Sequence, residues 1–323
     1  MEIKKTLAVL ATAALVVGAC SSTASTAAPS GSAAGTKLSI GIVTFSATDV
    51  ATNRVVTGAQ AEAAAKGWDS SVVDAQGSVD TANSAIQNLV QKKVDAIIVT
   101  VFPSNSLKAG LDAAQAANIP VMTHGGGIAP GVDVGIDVSL GAVLADRVVA
   151  DLGGKGDTLA LTYRGGLPCR EREASWQTVL GANPDIKNTT QQITVPGQVE
   201  SATAATNAWL AAHPAGGNQA IWTCFDDPAM GAVAALKQNN RQDVKVYGVN
   251  GNPDALQSVK DGWLTATLWT DLPAAGKYLV DQVPAVKAAG SSWHPVVAPA
   301  DNVMVDKTNV DQFLKDHPEA MKG

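Results

Sequence analysis

The chain has 323 residues, 46% of them hydrophobic and 16% charged, with a formal net charge of -6. That is enough material for two cores of ordinary domain size, and the scattered basic residues exclude a broad nucleic-acid surface. Low charge density with many Ala and Gly points to tightly packed helices and sheets, not to disorder.

The first residues read as an address. Lys4 and Lys5 form a basic n-region, and 7–17 is an apolar stretch of signal-peptide length, too short for an untilted membrane span. It ends Val17-Gly18-Ala19-Cys20, which resembles the bacterial lipobox, in which the cysteine is acylated after cleavage. Then 21–36 (SSTASTAAPSGSAAGT) is a polar, low-complexity tether. The expected order is a signal peptide over 1–19, lipidated Cys20 and a flexible tether over 20–36, and a folded body from Lys37. No other run reaches spanning length. The protein is therefore expected to be exported and held by its lipid anchor on the outer side of a bacterial cell membrane.

From Lys37 onward short apolar runs alternate with helical patterns. Strands are expected at 38–43, 70–75, 95–101 and 119–123, with helices at 50–66, 81–92 and 106–117 between them; Gly67 is a helix stop. The pattern restarts with helices at 140–152, 170–180, 201–212 and 229–239, and strands at 158–163, 190–195, 219–224 and 244–249. A short helix, a strand at 264–269 and a helix at 274–289 follow. Repeated strand–helix–strand units imply parallel sheets covered by helices on both faces. Two successive sets imply an α/β fold with two doubly wound parallel-sheet domains.

In open parallel sheets ligands bind beyond the C-terminal strand ends. The residues there are polar with aromatics interleaved: Phe45 to Asp49, Asp74, Thr100 to Phe102, His124, Tyr163 to Arg172, Phe225 to Asp227, Asn250, and Trp269 to Asp271. In WTCFDDPAMGAVAALK (222–237) a strand hands over to a helix with two carboxylates at the joint. Asp227 before Pro228 reads as N-cap and first-turn proline. Asp226 then either faces the cleft or serves the helix start.

Catalytic and cofactor signatures are missing from the sequence. HGGG at 124–127 lacks the lysine of a phosphate loop, GGKG at 153–156 precedes a strand, and there is no nucleophile elbow. The four histidines (124, 213, 294, 317) have no ligand spacing, so neither a metal nor a cofactor is expected. His213 and His317 precede prolines near helix ends, where capping or solvation accounts for them.

Several segments carry a family resemblance: GAQAEAAAKGW (58–68), AAQAANIPVMT (113–123), CREREASW (169–176), FDDPAMGAVAAL (225–236), VYGVNGNPDALQSVKDGWLTAT (246–267) and LP-x-x-G from Leu272. In their order and spacing they resemble the type I periplasmic sugar-binding proteins of ABC importers, from Lys37 to about Val305. The resemblance implies periplasmic binding protein type I architecture: two α/β domains joined by a three-crossover hinge and closing on ligand. The first domain is expected over 37–138 plus about 271–298, the second over 139–270 plus about 299–323.

By position, the resemblance makes Arg172 the cleft arginine and puts Asp49, Thr100, Asn250 and Thr270 or Asp271 at contact positions. Phe225 takes a polar contact position, and Asp226 matches a helix-starting Asp, leaving it either cap or contact. The chain also departs from the family. Gly125 and Gly126 replace an Asp-Arg pair, and Ala51 and Thr52 replace paired aromatics. Phe45, Phe102, Phe225 and Trp269 are alternative apolar faces for a ligand's C–H groups, or else core residues.

The implied function is a solute receptor that takes a monosaccharide or sugar alcohol and delivers it to an ABC permease with separate ATP-binding subunits, the receptor acting as a monomer. A signal-molecule receptor and an amino-acid or nucleoside receptor of the same fold remain alternatives. A repressor of this fold would need a DNA-binding helix pair where the lipobox stands. In a doubly wound order the first and third strands of a sheet are neighbours. Cys169 and Cys224 would then share one sheet edge, either bridged or as two free, buried thiols.

Overall fold

The structure, a computed structural model, describes residues 37–322. The signal peptide, the lipidation of Cys20 and the tether expected before Lys37 lie outside the described residues. In chain order the first lobe runs β1 (Ser39–Thr44), α1 (Val50–Ala65), β2 (Asp69–Asp74), α2 (Val79–Gln91), β3 (Ala96–Thr100), a 3-10 turn, α3 (Lys108–Ala116), β4 (Val121–His124) and β5 (Val134–Asp137). The second runs α4 (Val143–Leu152), β6 (Gly156–Thr162), α5 (Leu167–Ala182), β7 (Ile186–Gln192), α6 (Gln198–Ala212), β8 (Gln219–Thr223), α7 (Asp226–Gln238), β9 (Lys245–Asn250), α8 (Pro253–Asp261) and β10 (Ala266–Thr270). The chain then returns through α9 (Leu272–Ala289), β11 (Val296–Pro299), β12 (Asn302–Asp306) and α10 (Val310–Asp316).

Two six-stranded sheets result, ordered β11-β5-β4-β3-β1-β2 and β12-β10-β9-β8-β6-β7. Every pairing is parallel except β12 on β10. The chain crosses between sheets three times: from β5 to α4, from β10 to α9 and from β11 to β12. Inner strands such as β1 and β3 are buried almost throughout because helices cover both faces, which is why they read as continuous apolar runs. The second lobe centres on Trp176 and Trp222, stacked with ring centroids 5.6 Å apart.

Edge strands depart from the sequence reading. The strand expected at 190–195 is β7 at Ile186–Gln192, whose residues are mostly exposed and polar, so no apolar alternation set its phase. Strands β5, β11 and β12 were not expected; β11 and β12 are sheet edges, mostly not buried, and carry no continuous apolar run. Helices α5 and α7 each start three residues before the predicted positions of 170 and 229.

Helix α9 lies against α1 at close range, and glycine makes this possible on both sides. A Cβ on Gly276 would come within 2.7 Å of the Ala59 backbone nitrogen, and one on Gly58 within 2.6 Å of Pro273 Cα. The contact fixes the start of α1 beside the start of α9.

Cys169 sits in the first turn of α5, not in the preceding loop, and is joined to Cys224 just after β8. Strands β6 and β8 are paired neighbours, which brings the two Cα atoms to 5.1 Å. Closing this 55-residue separation contributes about 4 kcal/mol in the chain-entropy account. Thiol titration of a denatured, unreduced Cys20→Ser variant is expected to find no free thiol, and reduction is expected to lower the unfolding midpoint. Two titratable thiols would show the bridge absent.

Candidate functional site

The C-terminal strand ends of both sheets face one another across a cavity. It offers about 50 Å³ to the centres of water-sized molecules, room for several waters or one small solute. The first lobe supplies Phe45 after β1, Asp49, Ala51 and Thr52 at the start of α1, Val101 after β3, and His124 closing β4. The second supplies Tyr163, the first turns of α5 with Arg172, Val195, Phe225 and Asn250. Val138 and Leu272 enter from the crossovers.

Asp49 caps α1. Its Oδ1 accepts from the backbone N–H groups of Ala51 (3.0 Å) and Thr52 (3.4 Å), and the Thr52 hydroxyl donates to Oδ2. Arg172 is buried and spends its fork on backbone. Nη1 donates to the Cys224 carbonyl at 2.7 Å, while Nε and Nη2 donate to the Val138 carbonyl at 3.1 and 2.7 Å. Burial lowers its pKa to about 10, which leaves it a cation at neutral pH. It thereby ties the β5–α4 crossover to the end of β8 and faces Asp49 with opposite charge.

His124 is 6% exposed, and neither ring nitrogen has a partner among the described residues. Burial, with the Arg172 charge behind it, lowers its pKa to about 4, so the ring is neutral and offers one donor and one acceptor. Across the cavity Asn250 holds φ at 113° and its side-chain amide makes no hydrogen bond to the described residues. Val101 also lies at positive φ, 68°, a region β-branched residues rarely enter. Two such residues on facing walls of one cavity are strain held at a site.

Several hydrogen bonds span the lobes. Arg54 Nη1 donates to the Gly251 carbonyl at 3.1 Å, and Gln198 Nε2 donates to both the Thr48 carbonyl and Asp227 at 2.8 Å. Asp227 also accepts from the Asn252 amide at 3.1 Å and, more distantly, from the Val50 N–H at 3.5 Å. It is therefore not the helix cap expected from its proline neighbour. Helix α7 begins at Asp226 with Phe225 as N-cap residue, and Asp227 points at the opposite lobe.

Half of the expected contact residues line the cavity: Asp49, His124, Arg172, Phe225 and Asn250. The rest have other work. Thr100 is fully buried and its hydroxyl accepts from the Phe45 N–H at 2.9 Å. Phe102 packs beneath Phe45, with ring centroids 4.6 Å apart. Trp269 packs against Phe313 and His317 at 5.2 and 4.8 Å. Asp271 caps α9 through the Ala274 N–H at 3.0 Å. Asp226 accepts from the Asn252 N–H (2.7 Å) and the Thr267 hydroxyl (2.8 Å), stapling α7 to the neighbouring strand ends within its own lobe.

The glycines that replace the Asp-Arg pair are enforced by packing. A Cβ on Gly126 would lie 2.6 Å from the Phe102 carbonyl, and one on Gly125 2.8 Å from both Pro168 and Val138. Among the lining residues not expected as contacts from the sequence, Val138 and Val195 lie in loops after β5 and β7, and Leu272 opens α9. Only their place beyond a strand end could have marked them. No group of three His, Cys, Asp or Glu able to hold a metal occurs among the described residues. Nor is any described helix long and apolar enough to cross a membrane.

The buried acids set a pH dependence. Burial pushes Asp226 from 3.8 up to about 8 against its two donors, and burial together with the Asp49 charge raises Asp227. Each holds a proton in the folded chain that the unfolded chain releases near pH 4. Their contribution is full below that and is lost as pH rises toward 8. His124 acts oppositely: its contribution is full above 6.5 and is lost as pH falls toward about 4. The two acids outweigh the one histidine. Stability is expected to fall by on the order of 3 kcal/mol between about pH 5.5 and 8. A Tm that rises across that interval would refute the assignment.

The chain matches the family model described as periplasmic binding protein domain over residues 40–290. It is 29% identical over 225 residues to a ribose import binding protein of Bacillus subtilis, covering 68% of this chain and 72% of that one. It is also 29% identical over 259 residues to a xylitol-binding protein of Mycolicibacterium smegmatis, covering 77% and 70%. An ABC transporter solute binding protein from Agrobacterium vitis, solved with bound allitol, superposes with a TM-score of 0.79 at 26% identity, covering 87% of this chain and 99% of that one. These relatives are solute-binding proteins of transport systems, not enzymes. Two crossover-linked α/β lobes facing one cavity, and a family model spanning 40–290, make this chain a member of the periplasmic binding protein domain family.

Proposed function

We propose that this chain is the receptor of an ABC importer for a small neutral sugar or sugar alcohol, held between the lobes and passed to a permease whose ATP-binding subunits supply the energy. The observation that carries this reading is the pair His124 and Asn250. They are polar side chains from opposite lobes, buried at one cavity; among the described residues neither ring nitrogen of His124 has a partner, and the Asn250 side-chain amide makes no hydrogen bond. A hydroxylated solute bridging them would satisfy both and hold the lobes together. Relatives named for ribose and xylitol, and a structural neighbour holding allitol, support the solute class. The N-terminal segment supports export as a lipoprotein anchored through Cys20.

A thermal-shift screen of pentoses, hexoses and their alditols on the purified protein tests this. A solute at a hundred times its dissociation constant is expected to add about 2.7 kcal/mol of stability. It should be recovered chemically unchanged after prolonged incubation. No stabilising solute in the panel, or conversion of one to a product, would overturn the receptor reading.

A further inference from the structure

Three polar side chains at the cavity make no hydrogen bond to the described residues: His124, Asn250 and Tyr163. The others are spent. Asp49 and Thr52 hold each other at the start of α1, and Arg172 holds two carbonyls.

The sheet order sets the three apart. The crossovers leave from β5 and β10, the neighbours of β4 and β9, so His124 and Asn250 stand at the hinge end of the cavity. Tyr163 follows β6, and β8 lies between β6 and β9. Two strand spacings therefore put the Tyr163 and Asn250 backbones roughly 9.5 Å apart. In the opposite sheet β3 separates β4 from β1 in the same way, which brings Phe45 to the Tyr163 end. The two rings meet there edge-on at 5.8 Å.

That far end is polar as well as aromatic. A Cβ on Gly77 would lie 3.4 Å from the Tyr163 hydroxyl, 3.2 Å from the Val195 carbonyl and 3.7 Å from the Phe45 ring edge. Gly165 allows the phenol its place, since a Cβ there would collide with it. Burial alone raises the Tyr163 pKa, with no neighbouring charge or hydrogen bond acting on it. The Val195 carbonyl accepts no hydrogen bond from the described residues either. A donor and an acceptor thus stand free beside one point.

We propose that Tyr163 determines specificity: its hydroxyl, with the Val195 carbonyl, takes a terminal hydroxyl of the solute, while His124 and Asn250 take hydroxyls at the hinge end. The solute is then a sugar or alditol hydroxylated at both ends. This rests on the receptor reading above and sharpens it. A solute lacking the terminal hydroxyl would leave both groups at the Tyr163 end unpaired, and a site built to bond a hydroxyl rejects the analogue without it.

Titration calorimetry of wild-type protein and Tyr163→Phe tests this. The variant removes a hydroxyl without a protein partner, so its thermal transition without solute is expected to match wild type. For the solute giving the largest thermal shift, it is expected to bind at least about tenfold more weakly. Matched pairs supply a readout that a structural role would not move: L-galactose with L-fucose, L-mannose with L-rhamnose, and xylitol with its terminally deoxygenated form. In each pair the second lacks one terminal hydroxyl. In the pairs that bind, wild type is expected to favour the first by at least about tenfold, and Tyr163→Phe to bind both about equally. Unchanged affinity in Tyr163→Phe, equal affinity within the pairs for wild type, or a preference that survives in the variant would overturn this inference and leave the receptor reading standing. A panel in which no solute binds wild type would overturn both.

Discussion

Arg172→Ala is expected to cost about 3–5 kcal/mol of folding stability and to abolish solute binding at millimolar concentrations. The side chain is buried and makes three hydrogen bonds to two carbonyls, Val138 in a crossover and Cys224 after β8. Removing it strands both acceptors and leaves buried Asp49 without its facing cation. Because Val138 lines the cavity and Cys224 precedes Phe225, which also lines it, the lesion also loosens the wall a solute must meet. Arg170, one turn-start away on the same helix and exposed, is expected to change stability by no more than about 0.5 kcal/mol when truncated. Arg172→Lys should rescue little, since one ammonium cannot fork between two carbonyls. Urea unfolding of the three variants reads the result. Equal, small losses from Arg172→Ala and Arg170→Ala would show that the arginine holds neither the hinge nor the cavity.

Gly276→Ala should be nearly as damaging, at about 3 kcal/mol, without touching a ligand group. The added methyl meets the backbone of α1 near Val55 and Ala59, and backbone cannot turn aside as a side chain would. Helices α1 and α9 must part, which carries Asp49, Thr52 and Leu272 away from their places on the cavity wall. The expectation is therefore a joint loss of stability and affinity. Gly181→Ala provides the contrast. Gly181 lies within α5 with open space around it, so alanine there is expected to stabilise by about 0.5–1 kcal/mol. A neutral Gly276→Ala would mean that the helices are not in close contact in solution.

The doubly wound lobes were legible because strands covered on both faces must be apolar throughout, and β1, β3, β8 and β9 obey that rule. The rule for where ligands bind in such sheets then located Asp49, His124, Arg172, Phe225 and Asn250 without further information. It could not separate residues that face the cavity from those one step away that face the core, and so Thr100, Phe102 and Trp269 were grouped with them. Adjacent Asp226 and Asp227 show the difficulty most clearly. Their roles depend on the phase of α7, which begins two residues before Pro228. One carboxylate then staples its own lobe and the other reaches across the cleft. Val195, expected to end a strand at 190–195, instead lies beyond β7, and only the closure of two lobes brings it to the cavity.

The most direct measurement of the central claim is calorimetric titration of wild-type protein and Asn250→Ala with the solute giving the largest thermal shift. Asn250 contributes no side-chain hydrogen bond within the described residues, so its loss should leave the folded lobes intact. The account predicts one-to-one binding to wild type and at least about tenfold weaker binding to the variant, with both proteins unfolding cooperatively. Equal affinity in the two proteins would place the solute somewhere other than the cavity between the lobes.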